Sequence, residues 1–551
     1  MADSPPAAHR LSLLTAASVA IALAAADTYI VVLALTDMMA GVGIGIDALQ
    51  RATPIISGFL LGYIVVLPLI GRLSDLLDRR RILLGCLVVF VVGSAVTALA
   101  VEMPVLVTGR VLQGIGGGGL VPATLALVAD LWPPGRRGTP LGIVGAVQEL
   151  GSVLGPVLGA VILALSGWRA IFWANVAAGA VLYVTIRLLA PMAARTRDRS
   201  RAAAVAAGVV ALLAAVLGVL ALLAPEVLVT DVTLGIPFIP LTGESRALTP
   251  IGLAALALVV LLAALTFPRW WPVLRRADPF GALLVAVALG SLVLTFASSD
   301  PEKEVVGPLG YTLLPFGALA LALLVWWHHR AATPLIPRGV VHARGLRAFV
   351  VSLLVGVALV AVIVDVPLLA RLTESYDATG GALVLTRFLV AVPVGAFLGG
   401  WSLRWLGDGA VAAAGLFLTA AGMFVMSSWT LASIEDTVPA TVVLAVVGLG
   451  VGLALAPVNN AALADSPDDA HGIASSLVVV ARMVGMVVGL ALLTSIGLTR
   501  YFEAVRRLPD PLDTDALIGA GVVQVQTVFL GGATAALVGA LVAVSLGVRR
   551  R

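Results

Sequence analysis

Five charged side chains sit inside long apolar runs of this 551-residue chain, and any chemistry it performs has to start from them. Asp27 stands in AADTYIVV, Arg110 in VTGRVLQG, Glu149 in VQELG, Asp365 in VIVDVPLL and Arg482 in VVVARMVG. An ionised group in hydrocarbon costs at least about 2.5 kcal/mol, so each must face a partner or a wet cavity. Glu149 and Arg482 have opposite signs and fall in corresponding runs of the first and last parts of the chain, which predicts an ion pair across the centre. A carboxylate beside a guanidinium is held ionised, and separating the two raises its affinity for protons. Such a pair can tie proton uptake to a change of shape, or serve as a static strut. Asp365 lies nearer the end of its run, where it either caps, snorkels or faces the cavity, and Arg387 is expected to snorkel. Rival chemistries find no motif: there is no GxSxG, no HExxH and no Walker lysine, and the one lysine, Lys303, lies in a polar loop. The one cysteine, Cys86, rules out an intrachain disulfide and a cysteine-based metal site. His328 and His329, beside Trp326 and Trp327, read as an interfacial anchor, so no metal ligand set is expected.

The elements that position these charges are membrane helices. Hydrophobic residues make up 60% of the chain and charged ones 12%, against roughly 25% charged in soluble proteins, and mean hydropathy is +1.09. That excludes a water-soluble enzyme. The apolar runs are about 20 residues long, enough to cross a ~30 Å hydrocarbon core as helices, and lack the in-out alternation of a membrane β-barrel. The fold class is therefore an all-α polytopic membrane protein. The net charge of +4 does not imply nucleic acid, because the arginines are scattered between apolar runs.

Sixteen spans are expected. Six lie near residues 11–36, 53–71, 82–101, 104–128, 139–166 and 169–191. Four follow near 202–224, 250–268, 280–298 and 311–329. The last six lie near 347–371, 380–403, 409–430, 439–462, 472–499 and 521–547. This predicts a six-helix half over 11–191, a linker carrying four helices over 192–346, and a second six-helix half over 347–551. The stretch ending in ALAAAD resembles a signal peptide, but the apolar pattern runs on past Asp27, so a retained first helix is expected. Arginines at 79–81, 136–137, 195–201, 275–276, 330–344 and 549–551 mark one set of loops as cytoplasmic. Both chain ends are then expected on the cytoplasmic side of a bacterial inner membrane.

Three segments are more specific. GRLSDLLDRRR, with Gly71, Asp75, Arg79 and Arg80, resembles the cytoplasmic gating loop of the major facilitator superfamily. It departs at Leu76, where that family often has Arg, and at Asp78, where it usually has Gly; Asp tolerates a left-handed turn and is expected to keep it. RVLQGIGGGG, with Arg110, Gln113 and Gly114, resembles the family's Arg-x-x-Gln-Gly segment. Its GxGxxG spacing follows no strand, so helix packing rather than nucleotide binding is expected. QELGSVLGPVLG, with Gly151, Gly155, Pro156 and Gly159, resembles the helix motif of the drug/proton antiporter branch. There the Pro removes a hydrogen bond and the glycines allow close packing.

DTYIVV, LGYIVVLPLIGRLSD, TLALVADLW, QELGSVLGPVLG, WRAIFWANV and HGIASSLVVVARMVGMVVG closely resemble mycobacterial lipid exporters of that superfamily, and the similarity covers most of residues 20–191 and 275–500. That resemblance implies a major facilitator fold and proton-driven export of triacylglycerol or related lipids by alternating access, with Asp27, Glu149 and Arg482 as coupling residues. Arg110 and Asp365 are further intramembrane charges. No cofactor beyond the proton gradient is implied. The partners implied are membrane lipids and a periplasmic lipid-carrier lipoprotein of the LprG type, with the transporter acting as a monomer. A multidrug/proton antiporter exporting amphipathic drugs is the alternative. Two departures stand out: residues 202–268 form an extra hairpin that either shields the gap between halves, binds lipid or is peripheral, and the loop near Leu431–Pro439 is short. Within the hairpin's outer loop, EVLVTDVTL alternates like a short strand of a small hairpin, but a mobile loop is the preferred reading.

Overall fold

The structure, a computed structural model, describes residues 7–44, 53–189, 201–231, 233–241, 243, 245–297, 310–373, 378–464, 466–510 and 513–547. Arg195, Arg197, Arg199, Lys303 and the run Arg549 to Arg551 lie outside the described residues. Sixteen helices are long and apolar enough to cross a membrane, and no strand occurs among the described residues. The first half contains α1 (Ala7–Gly41), α2 (Thr53–Leu76), α3 (Arg79–Leu99), α4 (Met103–Leu131), α5 (Gly138–Leu165) and α6 (Arg169–Leu189). The insert contains α7 (Arg201–Leu223), α8 (Pro250–Arg276), α9 (Pro279–Ala297) and α10 (Gly310–Arg330). The second half contains α11 (Ala343–Arg371), α12 (Ala378–Ser402), α13 (Asp408–Met426), α14 (Thr437–Ala464), α15 (His471–Val505) and α16 (Thr514–Val544).

The two halves repeat one packing scheme. In the first, α4 lies against α2 and α3, α1 against α5 and α6, and α3 against α6. In the second, α14 lies against α12 and α13, α11 against α15 and α16, and α13 against α16. Glycine makes the central wedge possible: a Cβ on Gly114 would stand 2.1 Å from the Phe59 carbonyl of α2, and one on Gly116 2.3 Å from the Phe90 nitrogen of α3. The GxGxxG spacing thus packs helices, as expected of small residues between membrane spans.

One alternative falls away and two local expectations change. EVLVTDVTL forms no strand; Glu226–Val229 is a single helical turn, followed by a turn around Asp231. Its alternation cannot be satisfied as a strand because no neighbouring strand offers hydrogen bonds. α8 continues to Arg276 through Pro268 and Pro272, beyond the break expected at 268, since membrane helices tolerate such prolines when neighbouring groups re-satisfy the freed carbonyls. Asp78 does not adopt a left-handed turn: its φ is −57°, and its carboxylate caps α3 by accepting from the Arg80 amide at 2.9 Å.

The insert divides in two. α9 lies along α2 and touches α15, covering the seam between halves, and α10 lies on α9. Asp278, at φ +58°, ties this pair together by accepting from Gly281 N, Leu335 N and Trp327 Nε1, each at 2.9 Å. Trp327 is therefore held by a carboxylate, whereas its neighbour Trp326 is exposed beneath Arg330. The α7–α8 hairpin packs mainly on itself, so the element along the seam is α9 and not the extra hairpin.

Candidate functional site

Most of the expected site residues fall among three groups of polar residues in the helical body. The first lies wholly inside the first half. Asp27 (0% exposed) on α1 receives Arg110 Nη1 of α4 (1% exposed) at 2.5 Å, Asn175 Nδ2 of α6 at 2.5 Å and Gln113 Nε2 of α4 at 3.3 Å. Gln113 Oε1 accepts from Arg110 at 2.8 Å, and its Nε2 also donates to Ser94 Oγ of α3 at 2.8 Å. Arg110 Nε donates to the Ile55 carbonyl at 3.2 Å, and the guanidinium stacks 4.5 Å from the Phe59 ring. Both charges are thus saturated, as an ion pair withdrawn from water must be.

The second group faces the centre. Glu149 on α5 and Arg482 on α15 act on each other electrostatically, but no N–O contact within 4.0 Å joins them, and neither makes a hydrogen bond among the described residues. The ion pair expected across the centre is therefore not formed: α5 packs across the halves on α12 and α14, and α15 on α2 and α4. Both charges also act on Tyr63 of α2, whose backbone lies under Gly118 of α4. Three helices, two from the first half and one from the second, thus bring a phenol, a carboxylate and a guanidinium toward one region. Asp27 belongs to a different cluster and meets neither Glu149 nor Arg482. The glycines of the antiporter-type motif explain how α5 is held: a Cβ on Gly151, Gly155 or Gly159 would come within 3.0 Å of Ala22, Ala26 or Ile30 of α1. Pro156 sits within this contact without ending the helix.

The third group closes the face on which α1 begins. Asp75 at the end of α2 accepts from Gly472 N at 2.6 Å and Ile473 N at 2.9 Å, the free amides at the start of α15. Arg79 pairs with Asp130 of α4, lies 3.9 Å from Asp75, and donates to the Asp468 carbonyl at 3.3 Å. Gly71 lets α2 meet α15, since a Cβ there would stand 2.6 Å from Ser476 Oγ. Arg80 contributes its backbone amide to Asp78, and its side chain makes no ion pair among the described residues. On the other seam, Gly138 and Gly142 of α5 meet Gly400 of α12. A cavity of about 510 Å³ opens beside the latch, lined by Asp75, Asp78, Arg79, Arg80 and Asp130. Away from this face, α5 exposes Leu154, Val157, Leu158 and Val161.

Two single charges depart from expectation. Asp365 neither caps nor snorkels: it is 3% exposed and has no hydrogen bond or ion pair among the described residues. It is enclosed among the buried residues of α11 in the second half. Arg387 is only half-buried, but its Nη1 is enclosed without a partner, so that part of the guanidinium does not snorkel.

Residues 17–327 match the Major Facilitator Superfamily. The chain belongs to that superfamily. A Mycobacteroides abscessus protein named triacylglyceride transporter is 36% identical over 510 residues, covering 91% of this chain and 85% of its own. A triacylglyceride transporter of Mycobacterium tuberculosis H37Rv is 36% identical over 524 residues, covering 92% and 87%. Among solved structures, the human organic anion transporter MFSD10 shares the fold with a TM-score of 0.56 and 15% identity, covering 98% of this chain and all of that one. The proton:xylose symporter XylE does so with a TM-score of 0.51 and 14% identity, covering 94% of each.

As a major facilitator protein, the chain is a multi-pass membrane transporter and not an enzyme. Its motifs pointed to Gly71, Asp75, Arg79 and Arg110. They gave no sign of Asn175, Tyr63, Asp130 or the amides of Gly472 and Ile473. Asn175 was within reach of sequence reasoning, because an amide inside WANV has to find a partner. Backbone amides carry no residue-type signal at all.

Proposed function

We propose that this protein exports triacylglycerol or related apolar lipids from a bacterial inner membrane by proton-coupled alternating access, with both chain ends cytoplasmic. The observation that carries the reading is the pairing of two facts: kinship across nine-tenths of the chain with proteins named triacylglyceride transporters, and a central Glu149 and Arg482 that face one another unbonded while one face is latched. With that face cytoplasmic, the latched state is open outward. Glu149 exchanges its proton there, and the return to the inward-open state changes its distance from Arg482, so that uptake and release occur on opposite sides. Asp27, bonded to Arg110, Gln113 and Asn175, holds α1, α4 and α6 together and does not itself carry the proton. The exposed aliphatic face of α5 suits acyl chains. A periplasmic lipid-carrier lipoprotein of the LprG type receives the lipid from a monomeric transporter.

The test is reconstitution in proteoliposomes containing labelled triacylglycerol, with the carrier lipoprotein outside and an imposed proton gradient. Lipid transfer that collapses with the gradient and with Glu149→Gln is expected. Transfer indifferent to both, or export of amphipathic cations with no lipid movement, overturns the reading.

A further inference from the structure

The loop joining α7 to α8 has a surface that the transport cycle above does not use. Val227, Val229, Leu234, Ile236, Ile239 and Leu241 are all exposed within residues 224–249. Polar loops need no such row, and an exposed apolar cluster of this kind marks a contact surface.

The loop is built, not loose. Asp231 Oδ1 accepts from Thr233 N at 2.8 Å, Thr233 Oγ1 at 2.7 Å and Leu234 N at 2.9 Å, closing a turn. Leu241 N donates to the Leu248 carbonyl at 3.1 Å. Its base is fixed to the first half by Ser245 Oγ, which donates to Glu102 Oε1 at 2.8 Å, and to the end of α7 by Arg246 Nη1, which donates to the Leu222 carbonyl at 2.7 Å. Leu222 and Ala247 pack on the adjoining core. Its apolar side chains therefore point away from a rigid mount.

We infer that this loop is an apolar knob seated in the headgroup layer of the leaflet opposite the chain ends. Position argues for lipid over any other occupant. Trp270 and Trp271 of α8, both exposed and followed by Arg275 and Arg276, mark one membrane interface. Counting back from Trp270 to Pro250 at about 1.5 Å per residue gives about 30 Å, the thickness of the hydrocarbon core. The loop thus begins where the hydrocarbon ends. It is also continuous with the lipid-facing surface of α7 and α8, whose apolar windows are only 6% and 11% buried. Side chains leaving the helices at that depth reach the acyl-headgroup boundary, where interfacial apolar residues settle.

The experiment uses the full chain in phosphatidylcholine–phosphatidylglycerol vesicles, with Cys86→Ala to remove the native thiol. Ile236→Cys and Ile239→Cys, each labelled with an environment-sensitive fluorophore, are measured separately so that one misfolded variant does not decide the outcome. Blue-shifted emission at both sites, quenched by shallow nitroxide lipids, resistant to aqueous iodide and independent of the protein-to-lipid ratio, is expected. Water-like emission quenched by iodide overturns the inference. A blue shift only at high protein density makes the knob an interface between copies, and one only after a soluble protein is added makes it a protein dock; either result overturns the lipid assignment.

Discussion

The two halves share a backbone plan but fill it with opposite materials. Thr97 donates to the Gly93 carbonyl and lies against Gly109; Thr419 donates to the Gly415 carbonyl and lies against Gly450. Gly151 and Gly155 pack on Ala22 and Ala26, as Gly485 and Gly489 pack on Leu353 and Val357. In that register Asp27 corresponds to Ala358, Arg110 to Val451 and Gln113 to Ala454, all fully buried. At these central positions one half carries a saturated ion pair and the other aliphatic side chains; the second half's own pair, Arg344 on Asp408 with Asn460 donating to the same carboxylate, lies at the helix ends. The same helix scheme tolerates both, so the fold does not require the charges, and their retention in the first half needs another reason. Fixing the relative placement of α1, α4 and α6, which support Glu149 and the latch, supplies one.

The largest effect should follow from unbalancing the first half. Arg110→Val leaves Asp27 buried and unpaired, and removing one partner of a buried pair costs about 3–5 kcal/mol. A large drop in melting temperature is expected in purified protein. The triple variant Asp27→Ala, Arg110→Val, Gln113→Ala, which copies the second half, should recover most of that loss. Failure to recover would show that the two cores are not interchangeable and break the comparison.

Next comes the latch. Asp75→Asn weakens two hydrogen bonds to a charged acceptor, each worth about 1.5–3 kcal/mol, while the apolar seam between α5 and α12 is untouched. Spin labels on the ends of α2 and α15 should report a longer distance in this variant. Gly472→Ala should act in the same direction, because its Cβ would stand 2.1 Å from Ser74 Oγ. An unchanged distance in both variants would assign closure to the α5–α12 contact alone.

A smaller and opposite effect is expected at Asp365. A carboxyl enclosed without partners is unfavourable to folding, so Asp365→Leu should leave the melting temperature unchanged or raise it. Asp27→Leu should lower it sharply. If transport loses its pH dependence in the Asp365 variant while stability holds, the second half contributes a proton site of its own.

These contrasts also mark how far the sequence could be read. Span number was legible, because hydrophobic length is a local property. That Asp27 meets Arg110 and not the Glu149 group was not, since which charges face each other depends on helix rotation set by glycine contacts such as Gly114 on Phe59. Asp78 misled for a related reason. Acidic residues suit both left-handed turns and helix N-caps, and the choice was made by α3 starting at the next residue.

The smallest effect concerns a carboxylate outside both halves. Asp27 is saturated and buried, Asp365 buried and bare, and Asp231 saturated while exposed. The Leu234 amide, then the Thr233 hydroxyl and amide, hold the Asp231 carboxyl below its ordinary range. A lowered value means that its contribution to the turn is fully present above the ordinary carboxyl range, near about pH 4, and is lost as pH falls through the lower, folded value. Amide exchange at Thr233 and Leu234, compared with Asp231→Asn, should therefore differ between the two proteins at neutral pH and converge only in acid. Convergence already at neutral pH would mean that hydrogen bonds alone, without burial, do not order the knob, and that the stability of such carboxylate clusters here comes from exclusion of water.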